Sequence, residues 1–515
     1  MLLLSLLGAL AWAADPPPGA DGPPRLPRAE SWDVYGDARL RADTLGPFVL
    51  DATGFAQPTP FWMESRLLAG ATVRRSPTFR VDLEIEALNG RFAGPLAPLG
   101  TAATDHPFAV RRADRGDLPR VLPRKLALTW GARPARLLLG AQTFTWGTGM
   151  LANDGAGDPV FGDARTGSVV ARLGGAFAPW SAQDGSPVQG LGALLAADAV
   201  LRDDNASLVE GDVAFAGVAG LRWVLRRAEL GALGLVRTQV DRPDTLGGED
   251  LRTTGTPAET QVWPVDVYAR ADLLPASHAH RLRLEGEAVW VRGRSTRPQL
   301  DSTWEGGAEV RQFGAVARAR WDAPWRSTLQ VEGGYASGDN DPRDATARSF
   351  TMHSDHNVGI VLFEQVLPLM GARAADRLAD PSLTAQVAPG LRYTIPQGGV
   401  SNALYAFPTL RWRPASPVEL RLGWVAARSA GDLIDPYHSA VAGGWPRGFG
   451  GDFSADTSRS LGHELDGGAR LQLALPGAVR AEFGAEAAVF FPGEAFAGVL
   501  ADPVRAARGR LSVSW

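Results

Sequence analysis

Along much of the chain, apolar and polar residues alternate with a period of two. Val81, Leu83, Ile85 and Ala87 interleave with Arg80, Asp82, Glu84 and Glu86. A helix would scatter these eight side chains around its circumference, whereas a strand sends successive side chains to opposite faces and separates the two sets. The same alternation sets Trp32, Val34, Gly36, Ala38 and Leu40 against Asp33, Tyr35, Asp37, Arg39 and Arg41. It recurs with Val265, Val267, Ala269, Ala271 and Leu273 against Asp266, Tyr268, Arg270 and Asp272, and with Leu282, Leu284, Gly286, Ala288 and Trp290 against Arg281, Arg283, Glu285 and Glu287. Near the end, Val479, Ala481, Phe483, Ala485 and Val489 alternate with Arg480, Glu482 and Glu486. These runs are about twice the ordinary strand length of roughly 5–6 residues, and a wall with oil on one side and water on the other reads this way.

Segments of this kind predict about 18 strands, near residues 32–41, 61–73, 79–89, 124–131, 136–145, 166–174, 189–201, 211–226, 229–240, 263–273, 281–293, 304–321, 326–337, 401–413, 418–428, 461–475, 478–490 and 505–515. The segment 304–321 changes phase: Glu305, Glu309 and Arg311 are odd, Arg318 and Arg320 even. This predicts a β-bulge near Phe313-Gly314. Short connections at 74–78, 132–135, 322–325, 414–417 and 476–477 alternate with long ones at 42–60, 90–123, 146–165, 241–262, 338–400, 429–460 and 491–504. Only 175–188 breaks the rhythm, as a long connection where a short one is due. Transmembrane barrels pair short periplasmic turns with long extracellular loops, and an even strand number puts both termini in the periplasm.

Composition narrows the reading. A soluble chain of 515 residues would divide into several domains, but a large barrel holds this length in one. No apolar run long enough for a membrane helix follows residue 14, so a membrane-spanning chain must close its sheet, because hydrocarbon gives a backbone edge no hydrogen-bond partner. The expected fold class is therefore all-β, a single antiparallel transmembrane barrel over residues 31–515. Residues 1–14, with an apolar stretch Leu2–Leu10 and Ala11-Trp12-Ala13 after it, read as a signal peptide. The Pro- and Gly-rich residues 15–30 read as a periplasmic linker. Trp62, Trp130, Trp223, Trp263, Trp290, Trp304, Trp321 and Trp412 fall at or near predicted strand ends, as interfacial girdles require. Leu511, Val513 and Trp515 end the last strand on one face, which resembles the terminal signal presented to the barrel-assembly machinery.

Charge then locates candidate chemistry. The net charge of -4 gives no footprint for nucleic acid, and the absence of cysteine excludes disulfides and thiolate chemistry. An arginine on the lipid face near the midplane costs roughly 2–4 kcal/mol, so the alternating charges must face inward. The predicted pore-lining residues are Arg39, Arg80, Asp82, Glu84, Glu86, Arg270, Arg283, Glu285, Glu287, Arg470, Arg480, Glu482 and Arg510, with Asp266 and Glu464 on the same face. His353 and His356 lie close to Ser349, Ser354, Asp339, Asp341 and Asp355, but their spacing matches no hydrolytic or metal motif. A solvated or plugging loop is the expectation there. The run GDNDPRD lacks the ligand pattern of a calcium loop. No catalytic residue, metal or cofactor is expected.

Two stretches resemble a known family. Leu137–Asp163, LLLGAQTFTWGTGMLANDGAGDPVFGD, and Leu329–Leu367, LQVEGGYASGDNDPRDATARSFTMHSDHNVGIVLFEQVL, are similar to the alginate-export family of outer-membrane porins and related polysaccharide-secretion barrels. Gln142, Trp146, Gly147 and Gly149 carry the first likeness; Tyr335, Gly338 and Asp339 carry the second. The resemblance implies 18 strands and passive export of a polysaccharide through an arginine-rich constriction, with periplasmic export components as partners. Ala141 stands where the family pattern has arginine, which leaves the charge of the polymer open. Two other readings stay open: a diffusion porin taking up small hydrophilic solutes, and a barrel that anchors an envelope complex. All three place outer-membrane lipid around the chain.

Overall fold

The computed structural model describes residues 31–57, 60–94, 121–132, 134–164, 167–181, 188–241, 257–274, 280–297, 306–341, 344–378, 380, 382–383 and 399–515. The expected signal peptide and linker lie outside them. Among the described residues, eighteen strands form the wall. The first nine are β1 (Ser31–Leu45), β2 (Phe61–Ser76), β3 (Phe79–Ala93), β4 (Val121–Trp130), β5 (Ala135–Thr143), β6 (Val169–Ser181), β7 (Val188–Arg202), β8 (Val213–Leu225) and β9 (Ala228–Val240). Then follow β10 (Glu259–Leu274), β11 (Arg281–Ser295), β12 (Ala308–Ala323), β13 (Ser327–Ala336), a two-residue β14 (Thr346–Ala347), β15 (Ala403–Ala415), β16 (Val418–Ser429), β17 (Ser460–Ala474), β18 (Arg480–Pro492) and β19 (Val504–Ser514). β14 runs parallel to the upper end of β12 and is not part of the wall.

Each wall strand pairs antiparallel with the next, β13 with β15, and β1 pairs with both β2 and β19. Closure removes the edges that a membrane cannot solvate. At the seam, Trp515 and Gly36 exchange backbone hydrogen bonds of 3.0 and 3.1 Å. The Trp515 ring lies so close to Gly36 that a Cβ there would come within 2.1 Å of it.

Every predicted strand segment overlaps an observed strand, with ends that differ in most cases by a few residues. β6 runs on to Ser181, so the long connection expected at 175–188 shortens to 182–187, outside the described residues. The bulge expected at Phe313-Gly314 does not exist. β11 and β12 pair without interruption from Arg281↔Asp322 to Ser295↔Ala308. Glu309 and Arg311 simply face outward, paired at 2.5 Å at the extracellular end of the wall, where an exterior charge meets water and not hydrocarbon. Glu305 lies outside the described residues. A register shift occurs instead between β3 and β4, where Glu84 opposes Lys125 and Ile85 opposes Pro123.

The barrel is inside-out relative to a soluble protein. Leu83 and Ile85 are 41% and 44% exposed, while Glu84 and Glu86 between and beside them are 5% and 1% exposed. Exposed Trp130, Trp223 and Trp412 mark the periplasmic girdle, and exposed Trp263 and Trp290 the extracellular one. Trp62 departs from the girdle expectation: it is buried and faces the lumen, with Arg91 5.2 Å over its ring. Trp321 is half-buried and stacks on His280 at 5.8 Å. Trp304 lies outside the described residues.

The apolar core sits within the barrel. The described residues of two connections, 144–168 and 337–402, enter the lumen and bury Met150, Phe161, Met352, Ile360, Leu362 and Met370 against the wall. The second carries a π-helical turn, Leu362–Val366, that leads into helix α1, Leu367–Leu378. The extracellular connections clasp α1. Arg373 lies 4.0 Å over Phe55 and donates to Asp51 at 2.7 Å, and Arg377 lies 3.6 Å over Tyr437 of the short helix α2, Pro436–Val441. The connection expected as solvated or plugging is therefore a plug.

Candidate permeation site in the barrel lumen

Strand register sets arginines side by side across one wall. Arg411 of β15 opposes Arg421 of β16; Arg470 of β17 opposes Gly484 of β18; Gly484 opposes Arg510 of β19; and Arg510 opposes Arg41 of β1. Gly484 leaves room between its neighbours, since a Cβ there would already touch the side chains of Arg510 at 3.7 Å and Arg470 at 3.8 Å. Like charges on adjacent strands repel, so the row needs carboxylates. Glu419 pairs with Arg421 and Glu482 with Arg510, each at 2.5 Å. The 144–168 connection supplies the rest. Asp163 pairs with Arg39, with Arg41 at 3.5 Å and with Arg510 at 3.7 Å. Asp158 pairs with Arg470 at 2.5 Å and approaches Arg421 at 3.9 Å. Arg421 also donates to the carbonyl of Val160 at 2.7 Å, and Arg470 to that of Pro159 at 3.3 Å. The two aspartates differ in access: the Asp163 side chain is 4% exposed, the Asp158 side chain 60%. Arg411 has no ion-pair partner among the described residues.

The adjoining stretch of wall, β2 to β4, grips the same connection. Glu86 accepts from Arg124 at 3.1 Å, and from Arg66 and Arg202 at 3.2 Å each. Glu84 accepts from Lys125 at 2.7 Å, Tyr35 at 2.9 Å and Arg124 at 3.0 Å. Arg124 and Lys125 are consecutive yet both reach inward, because the β3–β4 register shift falls between them. Arg66 donates to the carbonyls of Ala164 and Gly155 at 3.0 and 3.2 Å, and Arg124 to that of Asp154 at 2.5 Å. The cationic wall thus holds the connection by its backbone, which has no charge to repel.

Two further anchors hold the plugs. Trp146 donates from its indole to Asp266 at 3.2 Å, while Glu287 accepts the amide of Thr148 and, at 2.6 Å, its hydroxyl. Gly147 packs on the Glu287 side chain. On β17, Glu464 accepts the amides of Ile360, Leu362 and Val361 at 2.6, 2.7 and 2.8 Å. These are orphan donors at the start of the helical segment, and a carboxylate is the strongest partner for them.

His353 and His356 join hydrogen-bond networks inside the barrel. His353 Nδ1 accepts the Asp355 amide at 3.1 Å, and its Nε2 lies 3.2 Å from Ser168 Oγ. Asp204 stands 3.8 Å from Nδ1, with its oxygens taken by the Ser354 amide and hydroxyl at 2.7 and 2.8 Å. His356 lies between Glu332 and Tyr405, 3.1 Å from each. Among the described residues no acidic or histidine cluster is arranged to hold a metal.

The predicted residues therefore divide. Arg39, Glu84, Glu86, Arg470, Glu482 and Arg510 join the networks that hold the 144–168 connection, and Asp266 and Glu287 hold its Trp146 end. Arg80 pairs with Asp82 at 2.7 Å, Arg270 with Glu229 at 2.8 Å, and Arg283 with Asp272 at 2.9 Å and Glu285 at 3.9 Å, all toward the periplasmic end of the wall. Arg480 is exposed at the periplasmic mouth, opposite Ser514. Gln142 is buried. Tyr335 faces outward against Phe313, with ring centroids 5.9 Å apart. Gly338 packs on Asn402, and Asp339 accepts the Arg348 amide at 2.9 Å. Arg66, Arg124, Arg421, Asp158 and Asp163 were not singled out. The alternation of β2 and β16 carries a signal for Arg66 and Arg421; nothing periodic marks the two aspartates.

No family model and no curated protein matches the chain. Among solved structures it is similar to OccK9 (OpdG) of Pseudomonas aeruginosa, with TM-score 0.50 and 11% identity, covering 94% of this chain and 98% of that one. OccD3 (OpdP) of the same organism gives TM-score 0.49 and 9% identity over 98% and 95% of the two chains. OccAB1 of Acinetobacter baumannii gives TM-score 0.49 and 7% identity over 94% and 96%. At these identities the likeness is one of fold. It does not carry the alginate-export resemblance, whose two motifs proved to be plug-forming connections and the strands beside them. A closed barrel with an apolar exterior, aromatic girdles and a charged interior is the architecture of the bacterial outer membrane, and the chain is an outer-membrane β-barrel.

Proposed function

We propose that the protein is a diffusion porin for small hydrophilic solutes that carry a carboxylate, and not a polysaccharide exporter. One observation supports this most strongly. The half-exposed carboxylate of Asp158 rests on Arg470 and Arg421, two buried guanidinium groups in a row of lumen-facing arginines. A solute carboxylate of the same geometry is recognised by the same planar, always-charged donors, and the adjoining Arg411 offers the next contact. The size limit follows from the plugs. The described residues of 144–168 and 337–402 are held by ion pairs to the wall and by an apolar core, so a polymer would have to break many contacts at once while a small solute need only pass beside them.

Reconstitution tests this reading. Bilayers containing the protein should pass small mono- and dicarboxylates faster than neutral solutes of equal size, and exclude acidic oligosaccharides. Arg421→Gln with Arg470→Gln should lower the anion-to-cation permeability ratio by about fivefold or more. An unchanged reversal potential in that variant, or passage of the oligosaccharide, refutes the proposal.

A further inference from the structure

Among the described residues, the outer face of the barrel carries one concentrated group of charges. At the extracellular end of β11 and β12, Arg292, Arg294, Glu309 and Arg311 face outward, with Arg292 directly opposite Arg311 and Arg294 opposite Glu309. One rung toward the membrane centre, about 7 Å along the strands, Trp290 opposes Phe313, and their ring centroids are 5.2 Å apart. Trp263 of β10 opposes Arg292 on the other side. Cations therefore sit at the upper margin of an aromatic girdle, at the level of lipid headgroups.

The charges do not cancel. Glu309 is engaged by Arg311 through two contacts of 2.5 and 2.6 Å. Arg292 and Arg294 have no hydrogen-bond or ion-pair partner among the described residues. Asp344, beside β14, lies within Coulombic reach of Arg311 but is held by Arg348 at 2.7 Å, and Glu259 of β10 hydrogen-bonds with Thr296. Like charges directly opposed across strands, as Arg292 and Arg311 are, destabilise a sheet unless an anion lies between them. Guanidinium groups bind phosphate oxygens in parallel pairs.

We propose that this surface binds the phosphate groups of a phosphorylated glycolipid in the outer leaflet, with its acyl chains against Trp263, Trp290 and Phe313. The site is on the exterior wall and does not depend on what crosses the lumen.

The test uses the full chain in detergent, titrated with bis-phosphorylated lipid A, with its dephosphorylated form and with inorganic phosphate, and read by native mass spectrometry. The bis-phosphorylated lipid should bind at least about tenfold more tightly than the dephosphorylated one. Arg292→Ser with Arg294→Ser should remove that preference, while Arg428→Ser, on the outer face of β16, should leave it intact. If the serine variant does not fold, Arg292→Gln with Arg294→Gln keeps the bulk and gives the same reading. Equal binding of the two lipids, a paired variant that retains the preference, or displacement by millimolar inorganic phosphate would each overturn the assignment.

Discussion

Glu464 is the point at which the large plug is fastened to the wall, and its removal should free that plug. Its carboxylate accepts three consecutive amides, Ile360, Val361 and Leu362, and is itself fully buried. In Glu464→Ala these three donors lose the acceptor they share. A buried unsatisfied donor costs roughly 1–3 kcal/mol, so at about 1.5 kcal/mol each the local closed state loses about 4–5 kcal/mol. Each 1.4 kcal/mol is a factor of ten, which makes local opening about a thousandfold more frequent. Glu464→Gln retains one oxygen for two of the three amides and should lose about a third as much. Amide exchange of the peptide spanning 358–366, followed by mass spectrometry in micelles, reads this directly. Exchange should accelerate by about three decades in the alanine variant and about one in the glutamine variant, and single-channel conductance should rise with it. Exchange unchanged within about fivefold would show that the apolar core holds the segment without the carboxylate, and the reasoning would fail.

Three further outcomes are expected. Asp163→Asn removes the carboxylate that Arg39, Arg41 and Arg510 share, and since each keeps another (Asp37, Asp43 with Glu64, and Glu482) the cost is that of lost charged hydrogen bonds, about 1.5–3 kcal/mol; the urea midpoint of the purified barrel should fall, and an unchanged midpoint would mean that the remaining carboxylates already neutralise the row. Gly36→Val places carbon atoms where the Trp515 ring lies and should weaken the β1–β19 seam, seen as loss of the heat-resistant compact band on gels, whereas Gly217→Val, at an open position, should not. Burial works against the charged form of Asp51, but Thr53, Arg373 and backbone amides donate to it and hold its carboxyl below the usual carboxylate range. A depressed folded value means that this tie is complete above the unfolded carboxylate value near pH 4 and is lost as pH falls through the folded one. Protease protection of α1 should therefore drop below about pH 4, and Asp51→Asn should remove that pH step.

The sequence alone determined the wall. Strand number, strand position and the face of each side chain follow from a period-two alternation that is local to each segment, because pleating fixes the direction of every Cβ. Lipid outside and water inside then forced the polarity of Glu84 against Leu83. The failed bulge marks the limit of that rule: Glu309 and Arg311 break the polarity without breaking the register, because they stand beyond the hydrocarbon. Only the tertiary structure decided what fills the barrel. Asp158 meets Arg470 across 312 residues and Asp163 meets Arg39 across 124, and no periodic pattern encodes such a meeting. The apolar residues of 144–168 and 337–402 require burial wherever they go. Whether they find it over the barrel mouth or within the lumen depends on the space and the charges the closed wall presents, and these exist only once the last strand has joined the first.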